Sequence, residues 1–155
     1  MSKAYEDRTD LEKIQSQWKK LTGLHTREEW SAAVVRAATA CELAANFAIR
    51  KEFEAQSDLD SQFVDSLLRW ANGLAGKMTH LLLPLSKGAK LKTVKKLKSD
   101  ADEINKERNA VVHQGEFRND DDAKETIGRA RLFIETLIQV YEPRFRLQDH
   151  PKAKA

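Results

Sequence analysis

An arginine, an asparagine and a histidine stand close together near position 110, and their side chains could do chemistry on a charged group. Arg108 and Asn109 are adjacent, and His113 follows Asn109 by four residues. On a helix this spacing stacks Asn109 and His113 on one side, with Arg108 beside them. A guanidinium binds carboxylates or phosphates, an amide donates and accepts hydrogen bonds, and an imidazole transfers protons near neutral pH. The spacing therefore indicates a site for a negatively charged ligand.

The element that must position these side chains is a helix that ends beside them. Apolar residues recur before and within the cluster at a spacing of three and four, which predicts one buried helix face: Val94, Leu97, Ala101, Ile104 and Val111. Arg108 falls on that face, where an unpaired charge is costly to desolvate. Gly115 is the residue type that commonly ends a helix. We therefore expect His113 in the last turn, with its ring able to reach a cleft.

The stretch Arg108-Asn109-Ala110-Val111-Val112-His113 resembles the signature of the HEPN superfamily. That signature is an arginine, a polar residue, three further residues and a histidine at the end of a helix. The surrounding sequence is similar as well, with a long alanine-rich helix before the signature and an amphipathic helix after an Asn/Asp-rich loop. The resemblance extends from about Trp30 to Tyr141. It implies an all-α fold, a HEPN-like bundle of four to five helices in an up-and-down arrangement.

The resemblance to HEPN ribonucleases implies a metal-independent endoribonuclease that uses no cofactor. Cleaving RNA without a metal requires that the 2′-hydroxyl lose a proton, the extra negative charge be stabilised and the leaving oxygen gain a proton. Carried over to this chain, His113 is the general base or acid, Arg108 stabilises the phosphate, and Asn109 orients the phosphate or His113. One histidine cannot be base and acid at once. The resemblance therefore also implies a homodimer, with two copies of His113 and Arg108 lining one groove for RNA.

A carboxylate on the preceding long helix is a candidate partner for Arg108. The sequence predicts that helix from about residue 27 to 55, opened by a capping box of Thr26 and Glu29, and Glu42 interrupts one of its apolar rows. Our hypothesis is that Glu42 pairs with Arg108 and holds it in place. The alternative is that Glu42 reaches solvent at the edge of the apolar stripe. Asn46, one turn further along, is a supporting candidate for the same cleft.

Six lysines crowd into the chain around the start of the signature helix, with no acidic residue among them: Lys87, Lys90, Lys92, Lys95, Lys96 and Lys98. They form either a solvated helix face or a surface that attracts a phosphate backbone, with Lys92, Lys95 and Lys96 as the nucleic-acid-binding candidates. The second interpretation supports an alternative function, a helical protein that binds nucleic acid without cutting it.

Another alternative is a catalytically silent HEPN module that binds nucleotide, nucleic acid or a protein partner, since a fold does not carry activity by itself. Many HEPN proteins are toxins or phage-defence effectors that an antitoxin neutralises. The resemblance therefore implies three possible kinds of partner: RNA, a second copy of the chain and a regulatory protein.

The composition points to one domain built from long helices. The chain has 155 residues, of which 41% are hydrophobic and 33% charged, with only six Gly and three Pro to interrupt it. The formal net charge of +3 does not by itself imply a nucleic-acid partner. We expect a single HEPN-like domain over residues 1–143, including an N-terminal helical extension over 1–25. Residues 144–155 are expected to form a flexible charged tail.

Cysteine and histidine usage indicates no disulfide and no metal site. Cys41 is the only cysteine, and the four histidines at positions 25, 80, 113 and 150 lack the spacing of a zinc site. The first ten residues are charged and contain no apolar run. We therefore expect neither a signal peptide nor a membrane anchor, and a cytoplasmic location.

Three further helices are predicted. Thr9 and Glu12 have capping-box spacing, so a first helix runs to about Leu21, where Gly23 stops it. A third helical stripe follows the long helix, with a kink expected at Gly73 and Gly76: Phe63, Leu67, Trp70, Leu74, Met78 and Leu81. Asp122 and Glu125 are placed to cap the last helix, whose buried stripe is Ile127, Ala130, Ile134, Leu137 and Tyr141.

Overall fold

The computed structural model describes residues 9–26, 29–71 and 73–151, and all regular structure in these ranges is helical, with no strand. The elements in chain order are α1 (Asp10–Thr26), α2 (Trp30–Gln56), α3 (Ser61–Trp70), α4 (Leu74–Lys77), a π-helical turn (Met78–Leu82), α5 (Leu83–Leu85), α6 (Ala89–Val112) and α7 (Asp120–Gln139). The predicted all-α class is confirmed.

The central helix is α2, which packs against α1, α6 and α7. Its buried face consists mainly of small residues that are fully shielded from solvent: Ala37, Ala40, Cys41, Ala44, Ala45 and Ala48. Small side chains let neighbouring helices approach closely. Large side chains from the neighbours fill the remaining space, among them Trp18, Ile104 and Phe133, each with 0% exposure. This sharing of small and large residues places the core around α2.

One segment of α2 is long and apolar enough to cross a bilayer by length and composition. In this fold, 61% of that segment is buried by the rest of the chain. The core helix of a soluble protein meets the same criteria, so this feature is weak evidence for a membrane span.

The first helix is an integral part of the core. The predicted capping box is present: Thr9 N donates to Glu12 Oε1 at 2.9 Å, and Glu12 N donates to Thr9 Oγ1 at 3.2 Å. The prediction that this helix stops at Gly23 is wrong, because the helix continues to Thr26. A Cβ at position 23 would lie 3.3 Å from the His150 ring, so Gly23 permits close packing. Residues 1–8 of the expected N-terminal extension lie outside the described residues.

Residues 144–151 pack against the helices, so the expected flexible tail is wrong for this stretch. Leu147 is buried, and Phe145 packs against the core. Trp18 Nε1 donates to Asp149 Oδ1 at 2.7 Å, and the backbone N of Leu147 donates to Glu135 Oε2 at 2.9 Å. The segment therefore binds both α1 and α7. Composition alone missed this because two apolar residues are enough to anchor an otherwise charged segment. Residues 152–155 lie outside the described residues.

Two helix starts differ from the predicted caps. The N-cap of α2 is Glu29, which makes no side-chain capping bond. The side chain of Thr26 lies outside the described residues. At the start of α7 the N-cap is Asn119, whose Oδ1 accepts from Asp122 N at 2.9 Å. Asn119 caps the helix there because an amide oxygen satisfies an otherwise free N–H as well as a carboxylate does.

The predicted third stripe divides into two parts. Met78 and Leu74 are buried as predicted, but Trp70 is 83% exposed and Phe63 is 55% exposed. In α3 the buried residues are instead Val64 and Leu68. The chain leaves the helical conformation between α3 and α4, so one helical phase does not run through both elements. The prediction of a single apolar stripe is therefore wrong for the residues of α3.

Candidate functional site

The inner face of α6 agrees with the prediction at Val94, Leu97, Ala101 and Ile104, which are buried. In the last turn Ala110 is buried instead of the predicted Val111, which is only partly buried. The helix ends at Val112 with His113 as its C-cap. The backbone N of His113 donates to the carbonyl of Asn109 at 2.8 Å. Gly115 has φ +67°, a left-handed conformation that glycine adopts without steric cost. The chain therefore turns away from the helix just after His113.

Arg108, Asn109 and His113 come together at this helix end. Arg108 Nη1 donates to Asn109 Oδ1 at 3.2 Å and lies 3.3 Å from His113 Nε2. Arg108 and Asn109 are half-buried, whereas His113 is exposed. A guanidinium can only donate, so the contact is a hydrogen bond when Nε2 is the acceptor nitrogen of the His113 ring. The arrangement places a cation directly beside one ring nitrogen of the imidazole.

Glu42 does not pair with Arg108, and this prediction is wrong. Glu42 Oε2 accepts from Lys77 Nζ at 2.7 Å and from the backbone N of Gly73 at 3.1 Å. Within residues 9–26, 29–71 and 73–151, Arg108 forms no ion pair. Lys77 is only 2% exposed, so its ammonium depends on a carboxylate more than the half-buried guanidinium does.

Lys77 was missed by sequence reasoning, although a signal for it was present. It follows Leu74 by three residues and precedes Leu81 by four, so it stands on the predicted apolar face of its helix. The same logic that singled out Arg108 applies to Lys77. The sequence pattern thus identifies two cations, Arg108 and Lys77, and one carboxylate, Glu42. Only the packing of α4 against α2 decides which cation pairs with Glu42.

Asn46 is also not part of the cluster at the end of α6. Its Oδ1 atom is buried and has no hydrogen-bond partner among the described residues. It makes no hydrogen bond to Arg108, Asn109 or His113 in that part of the chain. The geometry therefore gives neither Glu42 nor Asn46 a supporting role at this site.

The loop after His113 is fastened by contacts that the sequence did not reveal. Arg118 Nε lies 2.7 Å from Glu107 Oε2, and the backbone N of Arg118 donates to Ser31 Oγ at 2.8 Å. The Arg118 side chain is only 13% exposed. These contacts join the end of α6 to the beginning of α2. A lone arginine in a polar, non-periodic loop carries no pattern that predicts this role.

The lysine cluster splits into two groups. Lys90 Nζ binds Glu52 at 3.1 Å, and Lys98 Nζ binds Asp102 at 2.8 Å. Lys92, Lys95 and Lys96 are exposed and form no ion pair with any residue that the structure describes. Lys95 precedes His113 by 18 residues, which is five turns of 3.6 residues, so the two lie on the same side of α6 about 27 Å apart. One free lysine is therefore aligned with the candidate site.

No protein-family model matches this chain, and neither a curated protein nor a solved structure matches it at a significant level. Membership of the HEPN superfamily thus stays a prediction. Its support consists of the signature residues, their convergence at a helix end and the all-α class.

Proposed function

We propose that this protein is a metal-independent endoribonuclease of the HEPN type that acts as a cytoplasmic homodimer. The observation that carries the proposal is the contact of Arg108 Nη1 with His113 Nε2, 3.3 Å apart at an open helix end. A cation and an imidazole nitrogen side by side are the two groups that phosphodiester cleavage by a 2′-hydroxyl needs.

The proposed reaction begins when a phosphate oxygen of RNA takes Arg108 as its partner. His113 Nε2, released from that guanidinium, accepts the proton of the adjacent 2′-hydroxyl. The 2′-oxygen forms a bond to phosphorus, and the bond from phosphorus to the 5′-oxygen breaks. Arg108 stabilises the added negative charge, with Asn109 orienting the guanidinium through its Oδ1. The products are a 2′,3′-cyclic phosphate and a 5′-hydroxyl.

The leaving 5′-oxygen must receive a proton, and one imidazole cannot remove and supply protons in the same step. In the proposed dimer, the partner subunit's His113 begins the step protonated and gives that proton to the 5′-oxygen. A two-fold axis between the two helix ends would place both imidazoles on one groove. The exposure of His113 leaves it accessible to such a groove.

The direct test is cleavage of end-labelled single-stranded RNA in the presence of a chelator. We expect His113→Ala to reduce the rate by about 10²- to 10⁴-fold, the usual contribution of a positioned acid or base. His80→Ala is the matched control, because His80 is also exposed but stands on the π-helical turn. Circular dichroism should show all three proteins equally folded. Undiminished cleavage by His113→Ala, or cleavage that the chelator abolishes, would contradict the proposal.

The exposed lysines of α6 favour a second candidate function, nucleic-acid binding without cleavage. Lys92, Lys95 and Lys96 have no ion-pair partner in the described part of the chain, so their charges are available to phosphates. This function predicts salt-sensitive RNA binding without strand scission. Replacing all three with Gln should then make the negative slope of log K against log salt shallower by about 2, at roughly 0.7 per contact on a single strand.

The biological setting that we attach to the nuclease proposal is a toxin or phage-defence effector restrained by an antitoxin. It is supported by the resemblance to HEPN proteins alone. Co-purification from the native host tests it, because a stable inhibitory protein should be recovered with the chain and should suppress its cleavage of RNA.

A further inference from the structure

The most exposed aromatic side chain in the described part of the chain belongs to the loop that follows the candidate site. Phe117 is 91% exposed. It comes four residues after His113, so their Cα atoms are at most about 14 Å apart, given an extended reach of about 3.6 Å per residue. An aromatic ring in water so close to a cluster of polar groups suggests that a ligand covers it.

The exposure of Phe117 does not come from a loose loop. On one side, Glu116 N donates to the carbonyl of Ala110 at 3.0 Å. On the other side, Arg118 N donates to Ser31 Oγ at 2.8 Å, and Arg118 Nε lies 2.7 Å from Glu107 Oε2. The backbone on both sides of Phe117 is thus fastened to α6 and α2. The backbone of Phe117 therefore lies at a defined place, with its ring in solvent.

An unpaired nucleobase is the ligand that this arrangement fits best. Bases of single-stranded RNA stack on exposed aromatic rings, while their phosphates bind cations nearby. One ring face is enough for stacking. The core of a subunit interface, in contrast, is a continuous apolar patch, and the sequence neighbours of Phe117 are Glu116, Arg118 and Asn119. These polar sequence neighbours favour a base over a second copy of the chain.

We propose that Phe117 is a positioning residue that stacks an unpaired base of RNA whose phosphate lies at Arg108 and His113. This inference rests on the proposed function for its ligand, RNA. It adds that the protein selects single-stranded over paired RNA, because a base must be free to stack. The ring takes no part in the proton transfers.

The test measures binding of a single-stranded 2′-O-methyl RNA that carries the fluorescent base 2-aminopurine. This probe has no free 2′-hydroxyl and cannot be cleaved, so the wild-type protein can be used. We expect Phe117→Ala to weaken binding by about tenfold and to remove the quenching that stacking causes. Phe117→Trp should retain both. Phe63→Ala is the matched control, since Phe63 is an exposed phenylalanine on α3, and it should change neither.

Three results would overturn the inference. They are binding by Phe117→Ala at wild-type strength, absence of RNA binding by the wild-type protein, and a loss of binding that sedimentation traces to dissociation of a dimer. The last result would make the ring a subunit contact. The cleavage assay with His113→Ala separates the two proposals. If the wild-type protein cleaves RNA but Phe117→Ala binds RNA as strongly as wild type, only the stacking inference is wrong. If RNA binding depends on Phe117 but no RNA is cleaved, only the nuclease proposal is wrong.

Discussion

At the scale of single residues, the two cations on the inner faces of the helices have opposite situations. Lys77 is buried and bound to Glu42, which also accepts from the backbone of Gly73. Arg108 is half-buried, and its described partners are the amide of Asn109 and the ring of His113, with no carboxylate among them. The charge of a guanidinium that has no carboxylate partner is not neutralised, so it can attract an anionic ligand. The pairing of Lys77 with Glu42 thus leaves Arg108 available for a phosphate.

The first prediction concerns Glu42. Glu42→Ala leaves the Lys77 ammonium buried without its carboxylate, and we expect the free energy of unfolding to fall by about 2–3 kcal/mol. This is less than for a fully buried pair, because the Glu42 side chain is 31% exposed and partly solvated. Urea unfolding measures the change, with the exposed Glu54→Ala as the control.

The same Glu42→Ala variant also separates a structural from a catalytic role. If Glu42 serves Lys77 alone, the folded variant should cut RNA at the wild-type rate at low temperature. A loss of RNA cleavage with unchanged stability would contradict this and would show that Glu42 acts on the site of Arg108.

At the scale of elements, a buried carboxylate joins two helices and the turn that follows a third. Glu52 of α2 is 3% exposed and accepts from Tyr141 Oη at 2.5 Å, just beyond α7, and from Lys90 Nζ of α6 at 3.1 Å. Gln56 donates to it at 2.7 Å. Burial raises the pKa of the Glu52 carboxyl, but these hydrogen bonds outweigh burial and hold the pKa below its ordinary value. Burial and the bond to Glu52 raise the pKa of Tyr141 well above its ordinary value.

The second prediction follows from the direction of the Glu52 shift. Because its pKa is lower in the folded than in the unfolded chain, Glu52 stabilises the fold above its unfolded pKa of about 4.3. That contribution is lost as the pH falls through the folded pKa. Glu52→Gln should therefore be less stable than wild type at pH 7, and the difference should shrink on acidification below about pH 4.3.

Urea unfolding between neutral and acidic pH measures this difference. Tyr141→Phe should lower the free energy of unfolding at neutral pH by about 1.5–3 kcal/mol, the usual value of one hydrogen bond to a charged group. Glu54→Gln is the control, since Glu54 is exposed. A gap between Glu52→Gln and wild type that stays constant with pH would show that Glu52 does not act through its charge.

At the scale of the whole molecule, the described chain supplies one imidazole and one unpaired guanidinium at the end of α6. RNA cleavage needs a base and an acid, so the proposed function requires a second chain. The proposed dimer therefore differs from two independent enzymes in a measurable way. In a composite groove, a defect in one subunit disables the shared site.

The third prediction is for a heterodimer of one wild-type and one His113→Ala subunit, purified through two different affinity tags. If both imidazoles serve one groove, its cleavage rate should fall nearly as far as that of the His113→Ala homodimer, by about 10²-fold or more. Independent sites would give about half the wild-type rate. That result, or a cleaving monomer in sedimentation velocity, would contradict the composite site.

The sequence by itself determined the helical class, the buried face of α6 and the convergence of Arg108, Asn109 and His113. These features depend on spacing within one helix, where 3.6 residues per turn fixes which side chains meet. Only the tertiary structure decided that Glu42 belongs to Lys77, that residues 144–151 pack on α1 and α7, and that Arg118 fastens the loop carrying Phe117. Those outcomes depend on distances between separate segments, which local periodicity does not encode.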